Sequence, residues 1–114
     1  MEDDLGNARQ IGNLERACPV RTAISVISGK WKPAILRGIH GGSHRYAEIR
    51  SDVGEISDQS LTRHLRELCA DGVIARAADQ TYRLTPHGAQ LADIMEALET
   101  WGDAYLAMRR GNQA

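Results

Sequence analysis

Leu61, Leu65 and Leu68 recur at steps of four and three, the spacing of one face of an α-helix. On the same helical wheel the opposite face carries Gln59, Ser60, Arg63 and Glu67, flanked by Thr62 and Arg66. One side is built to pack. The other is short-chained, polar and partly cationic, which suits hydrogen bonding to phosphates and base edges as well as it suits plain solvation. Ser57 is a good N-cap for this helix, Asp58 is favourably placed against its dipole, and Asp71-Gly72 closes it.

The pattern on either side decides what the helix belongs to. Residues 1–17 read as a polar N-terminal arm with little to bury beyond Leu5, Ile11 and Leu14. A helix opens at Cys18-Pro19, where proline is preorganised for the first position. It places Val20, Ala23, Ile24 and Ile27 at helical spacing and stops at Ser28-Gly29. A second begins near Trp31 and presents Ile35, Leu36 and Ile39 before Gly41-Gly42. Ser43-His44-Arg45 is an extended link with edge-strand character. A third, short helix over Tyr46–Val53 aligns Tyr46, Ile49 and Val53, and Gly54 breaks it. Two short helices joined by a four-residue turn containing glycine outline a helix-turn-helix. Residues 73–78 and 81–85 are β-type runs around a two-residue turn, Asp79-Gln80, which predicts a hairpin.

Thr85-Pro86 then opens a long last helix over 86–110, in which Leu91, Ile94, Leu98, Trp101, Tyr105 and Met108 step by three and four. A seam of that length resembles the face one helix presents to another. It is hard to cover within one small domain, so a dimer interface is expected. The fold class is therefore mainly α with a small β-hairpin: a winged helix-turn-helix with a long C-terminal dimerisation helix, in one domain over 18–114.

Composition changes this picture little. A chain of 114 residues with 42% hydrophobic and 25% charged content supports one globular core, and the absence of Phe leaves that core to aliphatic side chains. Net charge is −1, yet residues 30–85 hold nine Lys and Arg against seven Asp and Glu, so the centre is mildly basic. Cys18 and Cys69 stand alone, with no ligand spacing for zinc. No apolar run approaches membrane-spanning length and the MEDDL start has the wrong sign for a signal peptide, so a cytoplasmic location is expected.

In order along the chain, Cys18-Pro19-Val20, Gly29-Lys30-Trp31-Lys32, Ile35-Leu36, residues 45–49 (RYAEI), Ile56-Ser57, Leu61-Thr62, Leu65-Arg66-Glu67-Leu68, Asp71-Gly72-Val73, residues 82–85 (YRLT), Gly88 and Trp101 resemble the HxlR-type winged helix-turn-helix transcriptional regulators of the MarR-like superfamily. The resemblance implies a homodimer on pseudo-palindromic double-stranded operator DNA, with no enzymatic activity, cofactor, metal or membrane partner. It implies DNA contacts from Ser57, Gln59, Ser60, Thr62, Arg63 and Arg66, with Lys30, Lys32, Arg45 and Arg76 as candidate phosphate contacts. One departure stands out. The wing is shorter than is usual in the family and carries no basic residue at its tip, so the recognition helix is expected to supply most of the affinity.

Cys18 begins a helix between Arg16 and Arg21, where a thiol is acidified and more reactive. Members of the family resemble this arrangement and sense oxidants or electrophiles through the matching cysteine, which implies a candidate redox role for Cys18. Cys69, near the Leu61/Leu65 side of its helix, is expected in the core. Two alternatives stay open: a winged-helix regulator that responds to a small ligand or metal, with His40, His44, His64 and His87 as the available imidazoles, and a winged-helix module that binds protein. The chain has no Gly-rich phosphate loop and no recognisable nucleophile–base spacing, which argues against an enzyme.

Overall fold

Three short helices wrap a core that the fourth completes. The computed structural model describes residues 18–112; the arm expected over 1–17, Arg16 included, lies outside them. In order come α1 (Pro19–Ile27), α2 (Lys32–His40), α3 (Tyr46–Val53), α4 (Asp58–Ala70), β1 (Ile74–Arg76), β2 (Tyr82–Leu84) and α5 (Pro86–Asn112). Ile35, Leu36 and Ile39 of α2, Ile49 of α3, and Leu61, Leu65 and Leu68 of α4 are buried with Ile56, Val73 and Ile74 in a single cluster. Each such side chain contributes about 1.5–3 kcal/mol by leaving water. The leucine spacing read from the sequence is thus the packed face of α4.

Between α3 and α4 the chain reverses over four residues. Gly54 takes φ +100°, a conformation that L side chains rarely adopt, and its N–H donates to the Arg50 carbonyl at 3.0 Å. Ile56 is buried and anchors the turn in the core. Ser57 then caps α4, its hydroxyl oxygen accepting from the Ser60 N–H at 3.0 Å. At the start of α3, Glu48 reaches back and accepts from the N–H groups of His44 and Arg45 at 3.1 and 3.2 Å.

Strands β1 and β2 pair antiparallel, Ile74 with Leu84 and Arg76 with Tyr82. The expected edge strand at His44 reduces to one hydrogen bond, Tyr82 N–H to the His44 carbonyl at 2.8 Å. The turn differs from the two-residue expectation. Ala77 N–H donates to Thr81 at 2.8 Å and Gln80 N–H to Ala77 at 2.9 Å, which leaves a loop of Ala78, Asp79 and Gln80. A loop of this type needs one left-handed residue. With no glycine available, Gln80 adopts φ +71°. The Asp79 carboxylate braces it by accepting from the Thr81 N–H and hydroxyl at 3.1 and 2.7 Å, and these two donors hold its pKa below the usual range.

The apolar side chains of α1 and α5 divide between the core and solvent. On α1 the covered side chains are Ser25, Val26 and Ile27, while Val20 and Ile24 point outward, Val20 being 67% exposed. Periodicity identifies an apolar face but not what that face meets. On α5, Leu91 is half-buried and packs against the core together with Met95. The helix crosses its own domain for only its first three turns or so. Ile94 on the outer side of those turns, and Leu98, Trp101, Tyr105 and Met108 beyond them, are exposed, with Leu106 beside them. The Trp101 and Tyr105 rings stack at 5.2 Å.

Candidate nucleic-acid interface

Because Leu61, Leu65 and Leu68 are pinned in the core, the rotation of α4 about its axis is set, and Gln59, Thr62, Arg63 and Arg66 are turned to solvent. Together with Ser57, Asp58 and Ser60 they line an open depression of about 760 Å³. Neither Arg63 nor Arg66 forms an ion pair with any described residue. Ser60 is half-buried, its carbonyl 2.6 Å from His64 Nδ1. Ser57 is exposed, and although its oxygen serves the cap, its hydroxyl proton remains available to an acceptor.

The N-terminus of α4 is held from α3. The Tyr46 hydroxyl donates to Asp58 Oδ1 at 2.8 Å, and Arg50 Nε lies 3.4 Å from the same oxygen. Arg50 also donates to the Ile56 carbonyl, from Nε and Nη2, at 3.4 Å. Desolvation pushes the Tyr46 phenol up, opposed by its hydrogen bond to Thr62. Arg50 went unnoticed in the sequence because nothing in its spacing announces a tie to a residue eight positions on.

The four weaker cationic candidates divide. Lys30 and Arg45 are exposed, Lys30 lying over the Trp31 ring at 4.8 Å. Arg76 is exposed on β1 with its guanidinium 5.7 Å from the Tyr82 ring centre. Lys32 is a correction. Its side chain is only 7% exposed and its Nζ sits 2.8 Å from Glu67 Oε1, so its charge is engaged within the chain and does not face a phosphate. Arg83, exposed on β2 opposite Ala75, is a wing cation that the candidate set omitted; its alternation with the half-buried Tyr82 and Leu84 was the available signal.

Cys18 is exposed at the N-terminus of α1. No side-chain hydrogen bond caps that helix, yet the Arg21 and Val20 N–H groups favour the Cys18 thiolate and lower its pKa, the Arg21 charge adding a smaller attraction. Cys69 is half-buried against the core, and burial pushes its thiol up. Among the described residues no group of three or more His, Cys, Asp and Glu side chains could hold a metal ion, and no helix is long and apolar enough to cross a membrane.

A helix-turn-helix with an exposed polar face, a hairpin and a long terminal helix can be compared with known families. Residues 26–110 match the model of the HxlR-like helix-turn-helix family. The chain belongs to that family. An uncharacterized HTH-type transcriptional regulator of Methanothermobacter thermautotrophicus is 36% identical over 101 residues, 83% of this chain and 77% of that protein. Among solved structures, a transcriptional regulator of the MarR family from Enterococcus faecalis V583 superposes with TM-score 0.72 at 30% identity, over 81% of this chain and 89% of that one. The redox regulator HypR in its reduced form gives 0.72 at 31% identity, over 82% and 99%; its oxidized form gives 0.63 at 33%, over 76% and 96%. This HxlR-like chain is accordingly a winged-helix transcriptional regulator, in a family whose relatives are named as regulators and not as enzymes.

Proposed function

We propose that this regulator acts as a homodimer that binds operator DNA sequence-specifically through α4. The observation that carries the reading is the division of that helix: Leu61, Leu65 and Leu68 fully buried on one side, Gln59, Thr62, Arg63 and Arg66 exposed on the other. Arginine donates bidentately to guanine O6 and N7, and glutamine pairs with adenine, so this face has the groups that direct readout requires. Lys30, Arg45, Arg76 and Arg83 would add phosphate contacts that orient the domain. With Asp79 at its tip, the wing contributes through its strands, from Arg76 and Arg83, and the recognition helix supplies most of the affinity.

The dimer reading rests on exposed apolar surface. Ile94, Leu98, Trp101, Tyr105, Leu106 and Met108 along α5, with Val20 and Ile24 on α1, are large apolar side chains 42–67% exposed, the kind of surface that marks an interaction site where it is contiguous. Pairing α5 with a second copy would cover them and set the two α4 helices about one duplex turn apart, as pseudo-palindromic half-sites need. Sedimentation should show a dimer, and Trp101→Asp should shift it to monomer.

The exposed, acidified Cys18 supports a redox-responsive regulator, in keeping with the likeness to HypR. Diamide or a quinone should then alter duplex binding in a gel-shift assay, and Cys18→Ser should abolish the response; an unchanged response in that variant overturns it. A ligand-responsive reading has less support, because the larger depressions lie open to solvent and the more enclosed crevice between α2 and α5 holds only about 90 Å³, well under the roughly 300 Å³ where small-molecule sites begin. Regulation of transcription by this route takes place in the cytoplasm.

The decisive experiment is footprinting on the DNA upstream of the protein's own gene, followed by anisotropy titrations of the protected duplex. Log affinity should fall linearly with log salt as counterions are released. Absence of duplex binding would favour the protein-interaction module instead.

A further inference from the structure

Helix α4 brings two carboxylates, Asp58 and Glu67, to a surface read as meeting a polyanion, and each is engaged by a partner from another helix. Asp58 is held by Tyr46 and Arg50 of α3. Glu67 is held by Lys32, the first residue of α2, at 2.8 Å. The second pair is lopsided: the lysine is almost fully covered, whereas the glutamate side chain is 39% exposed on the flank of the polar face.

One turn before Glu67 stands Arg63, at the i, i+4 spacing that lets oppositely charged side chains on a helix pair. Lys32 is the main influence holding the Glu67 carboxyl below its usual range, and the charges of Arg63 and His64 act on it as well, so the guanidinium already lies within electrostatic range. Even so, Arg63 makes no ion pair with a described residue and stays exposed. Of the two cations, it is Lys32 that engages the carboxylate, through Oε1.

We propose that Lys32 is a positioning residue for the DNA contact: by engaging Glu67 from beneath α4, it keeps that carboxylate from capturing Arg63 and leaves the guanidinium to the DNA. The proposal rests on the DNA-binding reading of α4 and deepens it. Lys32 is too deeply buried to reach a phosphate, so its effect on affinity passes through Glu67. Without it, Glu67 would turn to Arg63, withdrawing one cation from the interface and presenting an anion there.

The test titrates the full-length protein against the footprinted duplex at several salt concentrations, using Lys32→Met, Glu67→Gln and the double variant. Lys32→Met should bind about tenfold more weakly at low salt, within the range that loss of one arginine contact costs. That deficit should shrink as salt rises, since screening weakens both the capture of Arg63 and the repulsion of phosphate. The double variant should return to within about twofold of wild type, the carboxylate being gone. Glu67→Gln alone should bind at least as tightly as wild type. Unchanged affinity in Lys32→Met, or a deficit that is the same at every salt concentration and persists in the double variant, overturns the proposal. If circular dichroism shows Lys32→Met unfolded, Glu67→Gln carries the test, because its side chain is partly exposed; weaker binding in that variant overturns the positioning role while leaving the DNA-binding reading intact. Failure of the wild type to bind duplex overturns both.

Discussion

A β-carbon placed on Gly88 would lie 1.9 Å from the carbonyl oxygen of Val73. The first turn of α5 therefore rests directly on the backbone at the entry to β1, and Thr85 fastens the same junction: its hydroxyl donates to the Gly72 carbonyl at 2.6 Å and accepts from the Gly88 N–H at 3.0 Å. No side chain at position 88 can be accommodated without moving backbone. Gly88→Ala should lower stability by about 2–3 kcal/mol, the upper part of the range for overpacking, read as a shift in the urea midpoint. Because α5 is the proposed dimer helix, the same variant should also weaken dimerisation, measured by sedimentation.

Leu65 and Arg63 lie two residues apart on α4 and should fail in opposite ways. Leu65 is 2% exposed, and Leu65→Ala should cost about 2–5 kcal/mol of stability, as core truncations do. Arg63 is exposed, and Arg63→Ala should alter stability by no more than about 0.5 kcal/mol while weakening duplex binding. Full retention of operator affinity in Arg63→Ala would remove that residue from the reading face.

The two thiols should titrate on opposite sides of the ordinary cysteine value of about 8.5. Cys18 is lowered by the N–H groups of Arg21 and Val20, and Cys69 is raised by burial. Iodoacetamide should label Cys18 first, with a rate–pH midpoint below that value, and Cys69 slowly and only at higher pH. Mass spectrometry of the digested protein separates the two sites; a faster Cys69 would contradict the burial order.

Lys32 holds the Glu67 carboxyl below its usual range, with desolvation opposing. For a carboxylate lowered on folding, the stabilisation is fully present above the unfolded value of about 4.3 and is lost as pH falls through the lower folded value. Melting temperatures of wild type and Glu67→Gln should therefore differ by a constant amount at neutral pH and converge below about pH 4. The difference should be small, since the glutamate side chain is more than a third exposed. A gap that widens in acid would contradict the pairing.

Much of the local structure was legible because it depends on neighbours in the chain. The α3 bounds, the Ser57 cap and the start of α5 at Pro86 follow from spacing, capping chemistry and proline, all of which act within one turn. The hairpin was legible in outline, but not its turn: which residue takes the left-handed conformation depends on the side chain that braces it, here Asp79 on Thr81.

What the sequence determined by itself was the leucine face of α4 and hence the polar face opposite it, since a helix has one period and the apolar side must leave water. The tertiary structure decided which charges on that surface remain available. Lys32 and Arg63 are equally cationic in the sequence, yet packing of α2 beneath α4 buries the first against Glu67 and leaves the second exposed. It likewise half-covered Leu91 against the core and turned Val20 outward, because helical periodicity fixes how side chains are arranged around an axis, whereas only the neighbouring elements fix which way that axis is rotated.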